Sequence, residues 1–311
     1  MSSILKTIKT SFVIFAVAFL FLLIYKNFNE INSLDISVNW MLICVSLFLY
    51  FLFKFTQSLI WQYITVKNDC SIRYSTALLY WINSQLGRYI PGKVFYLGGR
   101  VYHYQKKGIS KSKITYCFLL ETVLSLIASA VVLIISLPMM DISIFENINL
   151  VYVFFVVILL VLVVHPKIFQ SILNFILMKL KRNPIVIKTS FLTMIKILLL
   201  YCISWFIMGL GFVMLIDSMI DLEIAFSMYF NLTGSFAFSS MVGLISFFAP
   251  SGIGVREGVL LFLLQNQFSS TESLIISVGS RLWVIIGDVI LIGSAFLIGV
   301  LLKRKITRRI Q

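Results

Sequence analysis

Seven stretches of the chain are almost wholly apolar, and polar or charged residues separate them. A helix needs about 20 apolar residues to cross the roughly 30 Å hydrocarbon core of a bilayer. The first and fourth stretches are short, and the others reach that length. The pattern predicts an all-α polytopic membrane protein with about six full spans. The stretches are residues 12–25, 40–66, 114–137, 150–164, 197–216, 224–249 and 274–302.

Two segments, residues 74–105 and 224–267, depart from this pattern because they combine apolar residues with charges and helix breakers. The first contains, in order, Arg88, Pro91, Gly92, Lys93 and Arg100. The second contains, in order, Pro250, Gly252, Gly254, Arg256 and Glu257. Lipid cannot satisfy the backbone groups that a helix break leaves unpaired, so such breaks persist at membrane depth only inside protein or beside a wet cavity. We therefore expect two re-entrant or broken helical hairpins.

The placement of basic residues predicts the orientation, because Lys and Arg near the ends of spans favour the cytoplasmic side. Basic residues cluster at Lys6 and Lys9, in residues 67–113 and 167–196, and after residue 302. Both termini are then expected to be cytoplasmic in a multi-pass protein of the cell membrane. The first hairpin would enter from the cytoplasm and the second from outside, as in an inverted repeat. The intervening loops are acidic, with Glu30, Asp35, Asp141, Glu146, Asp217, Asp221, Glu223 and Glu272.

Each broken segment also has a simpler interpretation. Residues 74–105 would form an amphipathic helix on the cytoplasmic surface, with the lysines at anionic headgroups. Residues 224–249 would form an ordinary span that ends near Pro250 and is followed by a short returning helix. These alternatives place the two breaks at the membrane surface instead of within the protein.

Composition supports the membrane location, since the chain is 60% hydrophobic and 12% charged, with a mean hydropathy of +1.00. Such a chain has too little polar surface to cover a water-soluble globule. The net charge of +14 does not indicate nucleic acid, because the basic residues flank apolar stretches. One transmembrane domain, residues 1–311, is expected. Residues 12–25 precede no small-residue cleavage site, so we expect a retained first span.

Signatures of metal sites and enzymes are nearly absent from the sequence. The four cysteines are scattered singly, and neither His103 nor His165 has a metal-ligand partner at a useful spacing. The sequence contains no GxSxG, P-loop or paired-aspartate motif. We expect no metal, no cofactor and no enzymatic activity.

Charged side chains within spans are costly unless they are paired or hydrated, so each marks a candidate functional residue. Arg281 and Asp288 lie seven residues apart on one helix face, where a shared partner would join them. Lys54 is interpreted as structural, because a lysine can snorkel toward the interface. The candidates within the apolar segments are Glu121, Arg256, Glu257, Arg281 and Asp288.

Arginine is the commoner cation of the broken segments, and its planar fork can hold a phosphate through two hydrogen bonds. The glycines beside the arginines allow the backbone to approach a ligand, and a helix that begins after Gly254 would aim its N–H groups at an anion. The hypothesis is a central cationic pocket that binds a lipid phosphate. Glu121 and Glu257 would either balance the cations or carry a proton.

Residues 87–94 read GRYIPGKV and, with Arg100 downstream, resemble the first signature of the lysylphosphatidylglycerol synthase transmembrane, or flippase-like, family. Residues 250–258 read PSGIGVREG and resemble its second signature. Glu121 and Arg281 also lie where that family carries an acid and an arginine. After Glu121 the chain departs from the usual pattern, since Thr122 and Ser125 stand where an arginine and an acid are expected.

The resemblance implies movement of a lipid between leaflets. The cargo would be an anionic or aminoacylated phospholipid, or a polyprenyl-phosphate-linked glycan intermediate. The sequence ends at Gln311, and we expect a stand-alone member without the aminoacyl transferase domain that some members carry. Membrane lipids are the expected partners, together with a lipid-modifying enzyme or a glycosyltransferase. The rival functions are a non-transporting scaffold for such an enzyme and an integral-membrane transferase that acts on a lipid phosphate.

Overall fold

Small polar residues fix where three long helices begin. The Asn39 side chain accepts hydrogen bonds from the backbone N–H groups of Met41 and Leu42, at 3.1 and 3.3 Å. Ser110 and Ser190 each accept one from the residue three positions later in the chain. These caps satisfy N–H groups that the first turn of a helix leaves unpaired.

The computed structural model describes residues 38–89, 94–140, 150–179, 184, 189–220, 222, 224–246, 249 and 252–310. Within them the chain forms ten α-helices and no strand. The predicted span at residues 12–25 lies outside the described residues, as do Pro91, Gly92, Lys93 and Pro250. The helices are α1 (Trp40–Lys67), α2 (Tyr74–Gln85), α3 (Val94–Gln105), α4 (Lys111–Ser136), α5 (Leu150–Val164), α6 (Pro166–Lys179), α7 (Phe191–Asp217), α8 (Phe226–Ile245), α9 (Val255–Leu264) and α10 (Ser270–Ile310).

Within the described residues, five helical segments are long and apolar enough to cross a membrane. They are Trp40–Lys67, Lys111–Met139, Phe191–Asp217, Phe226–Ile245 and Ser270–Leu297. A sixth candidate joins the end of α5 to α6 across a bend of 78°. The bend comes where Pro166 begins α6, because proline lacks the N–H group that would continue the helix. The predicted all-α polytopic membrane fold is confirmed.

The segment 74–105 forms a helical hairpin from α2 and α3, joined at a tip that contains Arg88 and Tyr89. Each helix has 12 residues, about 18 Å, which is too short to cross a bilayer. The hairpin packs against α1, α4 and α10. At its tip, the Tyr89 hydroxyl donates a hydrogen bond to Asp288, whose ion-pair partner Lys54 lies midway along α1. The hairpin therefore inserts among the spans, and the alternative of a surface helix does not fit.

The segment 224–267 is built from one candidate span, α8, and the ten-residue helix α9. Gly252 and Gly254 adopt positive φ angles of 73° and 83° in the turn that folds α9 back onto α8. A Cβ atom at Gly252 would lie 2.7 Å from the Cα atom of Gly243, so the two backbones touch. The segment thus has unequal arms, as the interpretation of an ordinary span with a short returning helix expected.

Small residues also let the spans approach one another. α7 packs against α1, α4 and α8, and a Cβ atom at Gly209 in α7 would meet the Thr233 side chain of α8 at 2.1 Å. A Cβ atom at Gly287 in α10 would lie 2.4 Å from the ring of Tyr50 in α1. Close approach at glycine is a common way for membrane helices to gain packing contacts. The contact at Gly287 places Tyr50 beside Asp288.

Candidate functional site

A cavity of about 600 Å³ lies between the hairpin tip, α1, α3, α4, α7, α8, α9 and α10. We call it the central cavity. Much of its wall is aromatic or aliphatic, with Phe53, Phe118, Trp205 and Phe236 among the large rings. The polar and charged lining residues are Tyr50, Lys54, Gln57, Arg88, Tyr89, Tyr96, Glu121, Thr122, Ser125, Ser129, Tyr201, Ser240, Arg256 and Asp288.

Asp288 is held by three donors from two other parts of the chain. The Lys54 ammonium lies 2.8 Å from its Oδ1 atom, and the Tyr50 hydroxyl donates to the same oxygen at 2.6 Å. The Tyr89 hydroxyl donates to Oδ2 at 2.7 Å. Asp288 and Lys54 are both buried, and a buried charge is tolerated only with partners of this kind. The cluster ties α10 to α1 and to the hairpin tip.

Arg100 and Glu121 form a second buried ion pair, between α3 and α4. The Arg100 guanidinium also donates to the Ser84 hydroxyl and to the Tyr96 hydroxyl, each at 2.9 Å. The Trp81 indole N–H donates to the other oxygen of Glu121 at 3.1 Å. Arg100 is fully buried and does not line the central cavity. Its contacts hold the hairpin closed and fix it to α4.

The four aromatic rings around Arg100 stabilise the same charge. The centroids of Trp61 and Tyr96 lie 4.3 and 4.8 Å from its guanidinium carbon, and those of Phe118 and Trp81 lie 5.3 and 5.8 Å away. A cation over the faces of aromatic rings is attracted by their quadrupoles, and more strongly when water is excluded.

Glu257 forms the third ion pair, with Arg281 at 3.5 Å. Its Oε2 atom accepts a hydrogen bond from the backbone N–H of Gly254 at 2.6 Å, at the start of α9. The Ser277 hydroxyl of α10 donates to the Glu257 carbonyl at 2.8 Å. The carboxylate of Glu257 therefore occupies an N–H group that was expected to face an anionic ligand. Neither Glu257 nor Arg281 lines the central cavity.

Arg88 and Arg256 line the cavity from opposite segments, one at the hairpin tip and one on α9. Arg88 donates to the Tyr96 hydroxyl at 2.6 Å and lies 4.6 Å from the centre of that ring. Arg256 lies 4.5 Å from the centre of the Phe236 ring. The Nε atom of Arg88 and the Nη2 atom of Arg256 have no hydrogen-bond partner among the described residues. Both arginines thus line the cavity, and each has a buried N–H group without a hydrogen-bond partner among the described residues.

The structure thus sorts the predicted site residues into groups. Arg88, Glu121, Arg256 and Asp288 meet at the central cavity. Behind the wall lie Arg100, Glu257 and Arg281, while Gly252 and Gly254 form the turn before α9. Arg281 and Asp288, which were expected to share a partner, have different ion-pair partners: Arg281 pairs with Glu257, and Asp288 pairs with Lys54.

The sequence interpretation missed several site residues, above all Lys54. Instead of snorkelling, Lys54 is buried and paired with Asp288. Tyr50 lies four residues earlier on the same face of α1, and both side chains bind the same carboxylate. A tyrosine and a lysine four residues apart inside an apolar stretch lie on one helix face, and this spacing could have indicated a shared buried partner. Tyr89 and Tyr96 belong to the hairpin, where no periodic pattern marked them.

A smaller cavity of about 310 Å³ lies between α1, α2 and α10. Its lining is apolar apart from Lys54 and Ser294, and it includes Phe55, Leu78 and Ile290. Lys54 lines both cavities. We call this space the side cavity.

In the part of the chain that the structure describes, no group of three or more His, Cys, Asp or Glu side chains is placed to hold a metal ion. The comparison with curated proteins finds no match. The family model described as "Lysylphosphatidylglycerol synthase TM region" matches residues 8–293 of the 311. That match covers both broken segments and the three ion pairs described above, and such membership points to a role connected with membrane lipids. The chain belongs to the lysylphosphatidylglycerol synthase TM region family.

Proposed function

We propose that this protein translocates an anionic or phosphate-bearing lipid between the leaflets of the cell membrane, with both termini in the cytoplasm. The cargo class covers aminoacylated phospholipids and polyprenyl-phosphate-linked glycan intermediates. The observation that carries the proposal is the pair Arg88 and Arg256, two cations that line one cavity from two segments and that form no ion pair within the described residues. Arginine binds phosphate oxygens through charge-assisted hydrogen bonds, which are stronger inside a low-dielectric site.

The walls of the two cavities support the same proposal. Aromatic and aliphatic side chains around the arginines suit the glycerol or first isoprenoid carbons next to a phosphate. The side cavity offers an apolar space for a hydrocarbon tail, and Lys54 forms part of the wall of both. A headgroup in the central cavity and a tail in the side cavity would match the division of a lipid into polar and apolar parts.

Translocation is tested with the purified protein in liposomes that contain fluorescent phosphatidylglycerol, an aminoacylated phospholipid or a short polyprenyl phosphate. We expect at least one of these lipids to cross faster than in empty vesicles, measured by quenching of the outer leaflet. We expect Arg88→Gln and Arg256→Gln each to lower that rate about tenfold or more, because each removes charge-assisted hydrogen bonds. Lys107→Gln, which changes an exposed cation after α3, is the matched control and should leave the rate unchanged.

The rival functions give different results in the same assay. A scaffold for a lipid-modifying enzyme would move none of the lipids, and the translocase proposal would then be wrong. An integral-membrane transferase would form a new lipid product when donor and acceptor lipids are present together. Unaltered transport by both arginine variants would refute the role of Arg88 and Arg256 while leaving translocation in place.

A further inference from the structure

The charged side chains that are buried or line the central cavity do not balance. Within the described residues the carboxylates are Glu121, Glu257 and Asp288. The cations in the same set are Lys54, Arg88, Arg100, Arg256 and Arg281. Positive groups therefore outnumber negative groups in an interior where an unbalanced charge is costly.

Each carboxylate has a cation of its own. Asp288 pairs with Lys54, and Glu121 pairs with Arg100. The third acid, Glu257, is the ion-pair partner of Arg281. Arg88 and Arg256 are the cations of this set that form no ion pair with another described residue. Of the cations in the set, these two and Lys54 are the ones that reach the central cavity, and Lys54 is already neutralised.

The neighbouring residues outside the described part of the chain add no negative charge. Residues 90–93 follow the hairpin tip, and residues 247, 248, 250 and 251 precede the turn at Gly252. The sequence of these two short runs contains one ionisable residue, Lys93, and it is basic. The two carboxylates that line the cavity are already bonded, Asp288 to three donors and Glu121 to Arg100 and Trp81.

We propose that the central cavity selects a lipid headgroup with two negative charges and no amine, which means a phosphomonoester or a diphosphate. This inference rests on the proposed function and narrows its cargo. One dianionic headgroup would neutralise Arg88 and Arg256 together. A phosphodiester with one charge would leave one arginine uncompensated.

The excess of positive charge at the central cavity also disfavours binding of an aminoacylated lipid. Addition of one amine cancels the phosphodiester charge, and a lysyl group makes the headgroup a net cation. Such a headgroup would need a carboxylate in the cavity to accept its ammonium group, and Glu121 and Asp288 are engaged. Two arginines at the same site would repel it, because Coulomb interactions are strong in a medium of low dielectric constant.

Selection is tested by binding as well as by transport, using lipids with identical short acyl tails. The probes are phosphatidic acid, a diacylglycerol diphosphate, phosphatidylglycerol and lysyl-phosphatidylglycerol, titrated against the purified full-length protein in detergent. We expect phosphatidic acid and the diphosphate to bind about tenfold or more tightly than phosphatidylglycerol, and the lysyl lipid to bind most weakly. Equal or tighter binding of the lysyl lipid would overturn the proposal, as would equal binding of phosphatidylglycerol and phosphatidic acid.

Variants of Arg88 and Arg256 test whether these two side chains cause the headgroup selectivity. Arg88→Gln and Arg256→Gln should each bring the affinity ratio of phosphatidic acid to phosphatidylglycerol close to one, whereas Arg88→Lys and the control Lys107→Gln should retain it. An unchanged ratio in both glutamine variants would contradict the assignment. Competition by inorganic phosphate distinguishes a lipid site from a site for soluble phosphate. We expect inorganic phosphate to displace bound phosphatidic acid only weakly. Displacement as strong as that by unlabelled phosphatidic acid would show a site for phosphate rather than for a lipid.

The binding and transport measurements can contradict the two proposals, headgroup selectivity and translocation, separately. If dianionic lipids bind selectively but no lipid crosses liposomes faster than in empty vesicles, translocation is wrong and the selectivity stands. If lysyl-phosphatidylglycerol binds best and also crosses, translocation stands and the selectivity is wrong.

Discussion

At the scale of single residues, the interior is organised by ion pairs that join different helices. The Lys54–Asp288 pair connects α1 with α10, and its carboxylate also holds the tip of the hairpin through Tyr89. Removing one partner of a buried pair leaves a charge without compensation, which costs more than removing both. The pair therefore gives a sharp test of the packing.

We expect Lys54→Met to lower the free energy of unfolding by about 3–5 kcal/mol, because Asp288 would stay buried without its cation. The double variant Lys54→Met with Asp288→Asn should lose less than this, since asparagine is neutral. Its amide oxygen can accept from one of the two tyrosine hydroxyls that Asp288 binds, and its amide N–H group can donate to the other. The measurement is reversible denaturation in detergent micelles. Additive losses in the double variant would show that the pair is not coupled.

The sequence predicts which residues carry charge at the site but not which residues pair. Arg88, Arg256, Glu121 and Asp288 stand out because each is an ionisable residue in an apolar segment, and all four reach the central cavity. The partners are set by packing between helices that are distant in the chain. The spacing of Arg281 and Asp288 on one helix suggested a shared partner, and the neighbouring helices supplied two separate ones.

At the scale of elements, each of the two broken segments folds back on itself, and the two do so in different ways. The hairpin of α2 and α3 has equal arms fixed by Arg100, whereas α8 and α9 have unequal arms joined by a turn in which backbone touches backbone. Helix breakers in the sequence predict both interruptions. They do not predict arm lengths, because Ser246 and the residues before Pro250 are compatible with either helix or turn.

The turn before α9 offers a prediction for the second segment. Gly252→Ala should destabilise the protein by about 2 kcal/mol, since the residue has a φ angle of 73° and its Cβ atom would meet Gly243 at 2.7 Å. Gly258→Ala in α9 is the matched control, because a Cβ atom there has nothing within 4 Å. Thermal unfolding of both variants in detergent is the measurement. A smaller loss for Gly252→Ala than for Gly258→Ala would contradict the close backbone contact.

At the scale of the whole molecule, the apolar pattern predicts the fold class and most of the spans. The five candidate spans overlap the second, third, fifth, sixth and seventh apolar stretches, and their ends differ from those of the stretches by at most six residues. The stretch at residues 150–164 was too short to span, and the structure shows α5 continuing past a bend into α6. Charge placement predicts an orientation, which stays a prediction.

That orientation is tested by labelling single cysteines in a background where the four native cysteines are replaced by alanine. Asn266→Cys lies between α9 and α10, and Lys107→Cys lies between α3 and α4. Because the basic loops are expected to be cytoplasmic, a membrane-impermeant maleimide added to intact cells should label position 266 and not position 107. The opposite labelling pattern would invert the proposed topology.

The Lys54–Asp288 pair also has a consequence for biogenesis. Lys54 emerges from the ribosome with the first described span, and Asp288 emerges with the last. Throughout synthesis of the intervening helices, the lysine has no carboxylate from α10 to meet. Because an unpaired charge within a span is costly, a nascent chain that ends before α10 would leave the Lys54 ammonium group without this carboxylate.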